Sequence, residues 1–326
     1  MNFVFLMDPL HTVNPLKDTS FIFMVGAHRA GHKVFFLPQG GTSLVEDNII
    51  FDVTQVIPHH PNESTSPDQD IFTIVEDNIQ LTHNDVDVVF VRTEPPFDSA
   101  YLMDTWLLDR LPSHIPVINS PAGIRTVNEK IWATQFTDLI PTTLITRQKE
   151  KYIQFLNQHN KVVVKPTDGF GGAGVFIVNK EDSNATVIFE TLSENESKEL
   201  IIQRFIPEAK QGDKRILLLN GQIISAVLRV QDGQDHRNNF FAGGHPEPAE
   251  ITQRDQEVVD TLRPHLQQLG LHFVGIDMLG DYLIEVNVTS PTCIQECNTF
   301  DDAQYEDQVI QYVEELIEQH NSVSTL

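Results

Sequence analysis

The stretch Asp277-Met-Leu-Gly-Asp-Tyr-Leu-Ile-Glu285-Val-Asn287-Val-Thr-Ser290-Pro-Thr292 decides the fold. Apolar runs at residues 273–276 and 282–284 flank the turn-forming pair Gly280-Asp281, which indicates a β-hairpin. Because side chains alternate along a strand, Glu285 and Asn287 point to one face, where a buried strand would carry carbon. For a lone Glu-x-Asn pair, a strand that emerges into solvent would be the simpler interpretation.

Asp277 on the partner strand changes that interpretation. A strict two-residue turn would pair Asp277 with Ile284 and put the carboxylates of Asp277 and Glu285 on opposite faces. An odd-numbered loop would place the two carboxylates side by side, so we predict a three-residue loop or a bulge. Two carboxylates and the Asn287 amide oxygen form a hard, incomplete ligand set. It suits Mg²⁺, with Mn²⁺ as the alternative, that takes further ligands from water and nucleotide phosphates.

Composition excludes several classes of function. The 326 residues, 40% hydrophobic and 21% charged, indicate a folded protein of two or three units. The balance of 22 basic against 46 acidic residues gives a net charge of −24, which repels nucleic acids and anionic membranes. The two cysteines, Cys293 and Cys297, match neither a disulfide framework nor a C-x-x-C pair. With no signal-like or long apolar segment, we expect a cytoplasmic protein.

The first third of the chain predicts an open α/β layer with a parallel sheet. Short apolar runs at residues 3–7, 34–37, 86–91 and 116–118 alternate with helical stretches, including residues 21–30 after a capping Asp18-Thr19-Ser20. Ligands of such folds bind at the carboxyl ends of the strands, where Asp8, Arg92 and Asn119 fall. An ion pair with a nearby acid explains Arg92 equally well. We expect an exposed loop at residues 59–70 and a helix over residues 122–138, which carries Lys130.

A glycine-rich loop lies between two apolar runs, in Lys165-Pro-Thr-Asp-Gly169-Phe-Gly171-Gly172-Ala-Gly174. A strand rather than a helix follows the glycines, which excludes a Rossmann motif, and neither the Walker A lysine nor the kinase motifs are present. We predict a mobile β-turn whose backbone N–H groups close over phosphates, with Lys165 entering from the preceding strand. The alternative is a flexible hairpin loop.

The segments between the glycine loop and the metal hairpin predict strands that line a nucleotide site. Residues 200–207 form an apolar strand against which an adenine could lie, and Asp213-Lys-Arg215 leads into the Asn220-Gly221 hairpin. Arg229 falls near the end of the returning strand. The long segment 231–250 is expected to be an active-site loop. Residues 257–269 and 307–319 predict amphipathic helices.

These features together resemble the ATP-grasp superfamily of carboxylate–amine ligases, and within it the prokaryotic-type glutathione synthetase. The segments that carry the resemblance span nearly the whole chain: Met7-Asp-Pro9, Arg92 with Pro95-Pro-Phe-Asp98, Asn128-Glu-Lys130, Lys165-Pro with Asp168-Gly, Gly212-Asp-Lys-Arg215, Ala242-Gly-Gly244, Phe273-Val-Gly275 with Asp277, and Glu285-Val-Asn-Val-Thr-Ser-Pro-Thr-Cys293. One departure is Arg237-Asn238-Asn239, where the family usually has Arg-Gly-Asn.

The resemblance implies an N-terminal pre-ATP-grasp α/β domain at residues 1–121, a central lid at 122–202, and a C-terminal α+β domain with the metal at 203–326. It also implies ATP, Mg²⁺, γ-glutamylcysteine and glycine as ligands, and a homo-oligomer, either a tetramer or a dimer. The implied reaction activates the acid as an acyl phosphate, which the amine of glycine then attacks. Rival interpretations are a glutamate-adding or D-alanine-joining ligase, or a non-catalytic nucleotide-binding regulator, which would have lost part of the metal set.

The same resemblance assigns a role to each candidate residue. The implied catalytic residues are Arg215, Arg229 and Lys165. The implied ATP-binding residues are Lys130, Lys165, Gly169, Gly171, Gly172, Gln203 and Lys214. The implied substrate-binding residues are Asp8, Arg92, Arg237, Asn239, Ser290 and Thr292, and the implied metal ligands are Asp277, Glu285 and Asn287.

Overall fold

Three β-sheets follow one another along the chain in the computed structural model, which describes residues 1–62, 70–169, 171–231 and 244–324. The described sheets have seven, four and five strands. The site residues Arg237 and Asn239 lie outside the described residues, and so does most of the predicted active-site loop at residues 231–250.

The seven-stranded N-terminal sheet confirms the predicted parallel layer only in part. Its strands are β1 (Asn2–Leu6), β2 (Lys33–Leu37), β3 (Thr42–Val45), β4 (Asn48–Pro58), β5 (Phe72–Thr82), β6 (Val88–Val91) and β7 (Val117–Ile118). Strands β2, β1, β6 and β7 run parallel in that order, whereas β3, β4 and β5 pair antiparallel with their neighbours. Both faces of β1 and β6 are covered, which explains their continuous apolar runs.

Three helices belong to this first layer: α1 (Thr19–Arg29), α2 (Ser99–Leu108) and α3 (Pro121–Thr126). Helix α1 begins as predicted, because the Asp18 carboxylate accepts a hydrogen bond from the N–H of Phe21 at 2.7 Å. All nine residues 19–27 of this helix are buried. A helix that is covered on every side carries apolar residues all round, and this one does.

The predicted helix over residues 122–138 is wrong beyond its first turn. Helix α3 ends at Thr126, and only a short 3₁₀ helix, Trp132–Gln135, follows. The intervening turn is closed by Asn128, whose side-chain oxygen accepts hydrogen bonds from the N–H groups of Lys130 at 3.1 Å and Ile131 at 2.9 Å. Asparagine favours such local turns over helix interiors, so Lys130 lies in a turn.

The four-stranded sheet carries the glycine-rich loop. Its elements are β8 (Thr143–Thr146), α4 (Lys149–His159), β9 (Lys161–Pro166), β10 (Phe176–Asn179), α5 (Ala185–Leu192) and β11 (Leu200–Arg204). The strands pair antiparallel in the order β10-β9-β11-β8, and the glycine-rich segment joins β9 to β10. The predicted strand, loop and strand are therefore confirmed. Tyr152 of α4 stacks on Phe189 of α5 at 4.6 Å between ring centroids, which fixes the two helices on one face of this sheet.

The five-stranded sheet contains both predicted hairpins. Its elements are β12 (Asp213–Leu219), β13 (Gln222–Val230), β14 (His245–Pro248), α6 (Gln253–Gln268), β15 (Phe273–Leu279), β16 (Tyr282–Asn287), α7 (Ile294–Asp301) and α8 (Tyr305–Ser324). The strand order is β14-β13-β12-β15-β16. Asn220 and Gly221 both have positive φ, 50° and 72°, which matches the type I′ turn that an Asn-Gly pair favours. Strand β14 lies in the segment predicted as loop, and corrects that prediction for its residues.

Helix α8 closes the molecule against α1. A Cβ added to Gly26 would lie 3.0 Å from Cγ of Glu306 and 3.3 Å from Cγ1 of Ile310, so the two helices approach closely at this glycine. Arg29 forms ion pairs with Glu306 at 2.7 Å and Asp307 at 2.6 Å beside this contact. The first and last helices therefore share one core.

Asn119 ties the N-terminal sheet to the hairpin of β15 and β16. Its buried amide nitrogen donates to the carbonyls of Phe273 and Val288, both at 2.7 Å, and its oxygen accepts from the N–H of Phe273 at 2.8 Å. Asn119 does follow a parallel strand as predicted, and its bonds are structural. Among the described residues, no helix combines the length and the apolar character needed to cross a membrane.

Candidate active site

The hairpin of β15 and β16 contains the predicted bulge. Leu279 pairs with Tyr282 across the tight turn, but the register shifts next to Met278, so that Asp277 lies opposite Glu285. The bulge therefore brings the two carboxylates together. Asn287 lies opposite Gly275, and its amide nitrogen donates to the Gly275 carbonyl at 3.2 Å.

A cavity of about 280 Å³ lies where the three sheets meet. Its wall is formed by residues that follow β6 in the first sheet, by residues of β9 and β11 in the second, and by residues of β12, β13, β15 and β16 in the third. The predicted site residues in this wall are Lys130, Lys165, Gly169, Gly171, Gly172, Gln203, Arg215, Arg229, Asp277, Glu285, Asn287, Ser290 and Thr292. One cavity thus gathers most of the residues that the sequence singled out.

Two arginines and two aspartates form a buried cluster at the base of the cavity. Arg215 binds Asp277 through two hydrogen bonds, one of them at 2.9 Å, and Arg229 binds Asp213 and also reaches Asp277 at 3.0 Å. Burial alone would raise the pKa of Asp277, but the charges of Arg215 and Arg229 outweigh it and hold that pKa well below its usual range. Burial raises the pKa of Asp213 more than Arg229 lowers it. The arginines are thereby fixed as cations facing the cavity.

Two lysines enter the cavity from different elements. Lys130, in the turn after α3, lies 3.4 Å from the Glu285 carboxylate and donates to the carbonyl of Gly169 in the glycine-rich loop. Lys165, on β9, is 5% exposed, and burial lowers its pKa to about 8 against the opposing effect of Glu285. Because burial destabilises the charged form of Lys165, an anion that binds beside it stabilises that form. This lysine therefore suits a phosphate.

The glycine-rich loop and β11 complete the wall around these lysines. Gly171 and Gly172 have φ of 61° and 76°, a region that side chains with a Cβ rarely adopt. Gln203 of β11 is anchored by a hydrogen bond from its amide nitrogen to Thr143 Oγ1 at 3.0 Å. Gly171, Gly172 and Gln203 all line the cavity.

Lys214 does not line this cavity, so the geometry does not support the prediction that it binds ATP. Its ammonium group donates to the Asp255 carboxylate at 2.6 Å and to the Glu250 carbonyl at 2.8 Å. Side chains alternate along β12, so Asp213 and Arg215 face the cavity while Lys214 faces α6. These contacts attach the start of α6 to the sheet.

Asp8 and Arg92 do not line the cavity, but each forms a hydrogen bond with a residue that does. The Asp8 carboxylate accepts from the N–H of Glu94, a cavity residue, at 2.9 Å. Arg92 donates to Ser20 Oγ at 3.0 Å and to the carbonyl of Pro291 at 2.8 Å, and burial lowers its pKa to about 10. Among the described residues its hydrogen bonds go to a hydroxyl and a carbonyl, and none goes to a carboxylate. Arg92 therefore supports the segment that carries Ser290.

Sequence reasoning missed three acidic residues of the cavity wall, Glu94, Glu129 and Asp213. Asp213 holds Arg229, and the alternation in Asp213-Lys214-Arg215 was the signal that put Asp213 on the cavity face. Glu129 precedes Lys130 and binds the backbone after β16. No local pattern marks Glu129, because its partners lie about 160 residues further along the chain.

The oxygen donors on the hairpin fit a divalent cation that is shared with a nucleotide. Among the described residues, no group of three or more His, Cys, Asp or Glu side chains forms a metal site by itself. The hairpin instead offers two carboxylates and one amide, with the amide nitrogen of Asn287 already bonded to Gly275. Such a set leaves ligand positions for phosphate oxygens.

Two family models match the chain over almost its whole length. The model described as prokaryotic glutathione synthetase, N-terminal domain, matches residues 1–125, and the model of the ATP-grasp domain of the same family matches residues 129–302. Glutathione synthetase from Nostoc sp. strain PCC 7120 is 37% identical, over 98% of this chain and 100% of that protein. The Escherichia coli K12 glutathione synthetase is 35% identical, over 89% of this chain and 90% of that protein.

Solved structures show the same fold at low sequence identity. The D-cycloserine synthetase DcsG has a TM-score of 0.62 at 14% identity, over 97% of this chain and 100% of that chain. A RiPP-associated ATP-grasp ligase from Chryseobacterium gregarium has a TM-score of 0.62 at 15% identity, over 98% and 97% of the two chains. These likenesses establish the ATP-grasp fold. With the family models and the close relatives, they show that the chain belongs to the prokaryotic glutathione synthetase family of ATP-dependent ligases.

Proposed function

We propose that this ligase joins γ-glutamylcysteine to glycine and forms glutathione, with ATP converted to ADP and phosphate through an acyl phosphate. One observation carries the proposal: the same cavity is lined by two lysines that can bind phosphate, by the candidate metal ligands of the β15–β16 hairpin and by two arginines. Membership in the glutathione synthetase family supports the choice of substrates.

The first step is transfer of the γ-phosphoryl group to the acid. The carboxylate of γ-glutamylcysteine that will be joined to glycine attacks the γ-phosphorus of ATP. The bond between that phosphorus and the bridging oxygen to the β-phosphate breaks, and ADP leaves. Lys130, Lys165 and the backbone of the glycine-rich loop hold the phosphates in line with that carboxylate. Mg²⁺, or Mn²⁺ in its place, would be held by Asp277, Glu285 and Asn287 and would neutralise charge on the phosphates.

The second step forms the peptide bond. The neutral amine of glycine attacks the acyl carbon, the carbonyl oxygen becomes an oxyanion, and phosphate leaves as the amine loses a proton. Arg229 and Arg215 are fixed as cations before the reaction, so they stabilise this developing charge without reorganising. The segment from Ser290 to Thr292 receives the carboxylate of glycine.

Further proposals rest on family membership and on the cavity. The adenine lies against β11 beside Gln203, and the chain divides into domains at residues 1–121, 122–202 and 203–326. The enzyme is a homo-oligomer, either a tetramer or a dimer. Arg237 and Asn239 contribute to substrate binding from the segment that lies outside the described residues.

A coupled assay of ADP release tests the proposed function. ADP is expected at a substantial rate only when γ-glutamylcysteine and glycine are both present, because the acyl phosphate needs an acid to form and an amine to discharge it. Equal ADP release with neither substrate would identify a plain ATPase. Full activity with D-alanine in place of γ-glutamylcysteine would move the enzyme to the D-alanine-joining ligases.

A further inference from the structure

The segment of the cavity wall that follows β16 is held by the carboxylate of Glu129, which itself lines the cavity. One oxygen of Glu129 accepts three hydrogen bonds, from the N–H of Val288 at 2.8 Å, the N–H of Thr289 at 3.1 Å and Thr289 Oγ1 at 2.9 Å. A charged acceptor makes stronger hydrogen bonds than a neutral one, so this contact fixes two consecutive residues of the wall. The next residue is Ser290.

The far end of the same segment is held by a cation. Arg92 donates to the carbonyl of Pro291 at 2.8 Å and is itself 4% exposed. Ser290 therefore lies between two anchored points, one on each side, and it lines the cavity. Neither anchor belongs to the five-stranded sheet, because both come from the first 130 residues of the chain.

Three other acidic side chains of the cavity are committed to different partners. Asp213 and Asp277 bind the two arginines, and Glu285 lies beside Lys130 within the candidate metal set. Glu129 differs because its contacts run to the backbone of the wall. Its own carbonyl also accepts from the N–H of Val286 at 2.9 Å, a backbone bond that no side-chain substitution removes.

We propose that Glu129 is a positioning residue for the amine substrate, which holds Ser290 to Thr292 in the conformation that receives the carboxylate of glycine. This inference deepens the proposed function and rests on it. The carboxylate of Glu129 makes its three hydrogen bonds with the segment that leads to Ser290, so its loss should affect the second step and spare the first. Lys130 keeps its place because its own N–H donates to the side-chain oxygen of Asn128 and because the carbonyl of Glu129 still accepts from the N–H of Val286.

The test compares Glu129→Ala with Glu129→Gln in steady-state and partial reactions. Glu129→Ala is expected to raise the KM for glycine about 10- to 100-fold, the equivalent of losing hydrogen bonds to a charged group, with the KM values for ATP and γ-glutamylcysteine changed less than about 3-fold. Glu129→Gln keeps an acceptor oxygen in place and is expected to recover most of the affinity for glycine. Positional isotope exchange in ATP with γ-glutamylcysteine alone, which reports the first step, should be unchanged in both variants.

Thr289→Val supplies the matched control, because it removes one of the three donors and retains both backbone N–H groups. Its KM for glycine should rise by a few-fold. In the Glu129→Ala background, Thr289→Val should raise the KM for glycine little further, because the acceptor of the Thr289 hydroxyl is already gone. An unchanged KM for glycine in folded Glu129→Ala, or equal loss of isotope exchange and of overall turnover, would overturn the positioning role. If Glu129→Ala does not fold, a Thr289→Val variant with wild-type KM for glycine overturns it instead. Failure of the wild-type protein to use glycine would refute the proposed function separately.

Discussion

Removal of Arg229 should separate its structural cost from its effect on the reaction. Arg229 is 6% exposed and pairs with Asp213 and Asp277. Arg229→Met therefore leaves Asp213, whose side chain is 16% exposed, without its closest cation, while Asp277 keeps Arg215. Breaking a buried pair in this way costs about 3–5 kcal/mol of the free energy of unfolding. Burial already raises the pKa of Asp213, so this carboxyl can bind a proton and lose its charge when Arg229 is removed. The expected cost is therefore at the lower end of that range, about 3 kcal/mol.

The kinetic cost has a different origin. A fixed cation at the developing oxyanion is worth about 10²- to 10³-fold in kcat, and Arg229→Met is expected to lose that factor with the KM for ATP nearly unchanged. The double variant Arg229→Met with Asp213→Asn removes both charges. It should recover most of the lost free energy of unfolding, because no uncompensated charge remains, and it should recover none of the lost kcat.

Urea denaturation and ADP release at saturating substrates measure the two quantities on the same preparations. Arg110→Met is the control for loss of an arginine, since its pair with Asp47 is exposed at 3.5 Å and should contribute little to either quantity. A double variant that regains kcat together with stability would refute the transition-state role. Arg229 would then be structural, and Arg215 would become the better candidate.

Three further predictions follow from the contacts in and around the cavity. Glu285→Ala and Asn287→Ala should each abolish turnover at saturating metal with an unchanged far-UV CD spectrum, because each removes an oxygen donor that packs against no core; wild-type rates would make these residues ordinary solvent-exposed ones. The pKa of Lys165 is lowered by burial from 10.5 to about 8, so the free energy of unfolding of the ligand-free protein should rise between about pH 8 and 10.5, by more than in Lys165→Met. Equal pH dependence of the two proteins would contradict this. Lys214→Met should keep the KM for ATP within about 2-fold and lower the free energy of unfolding by about 2–3 kcal/mol, because it leaves Asp255 buried without its cation; a large rise in the KM for ATP would restore Lys214 to the nucleotide site.

The parts of the site that were predictable are those whose residues lie close together in sequence. Strand alternation and the need to bring Asp277 level with Glu285 predicted the bulge, because a one-residue shift changes which face a side chain occupies. The β-branched residues after the glycine loop likewise predicted β10 and excluded a dinucleotide fold.

Other parts depended on contacts that no local pattern carries. Strand β5 went unpredicted because residues 73–78 are exposed on both faces and show no apolar alternation. The helix predicted through Lys130 is interrupted by side-chain bonds of Asn128, which compete with the helical backbone. Glu129 was missed because its partners come from the far end of the chain.

The contact between α1 and α8 has a consequence for biosynthesis. Helix α1 is buried on every side, but the residues of α8 that cover one of its faces, Val309, Ile310, Val313 and Ile317, are synthesised about 280 residues after its last residue, Arg29. At about 5–20 residues per second, the N-terminal layer waits roughly 15–60 s for this cover. During that interval an apolar helical face is exposed on the nascent chain, and exposed apolar surface of this kind makes a folding intermediate prone to aggregate.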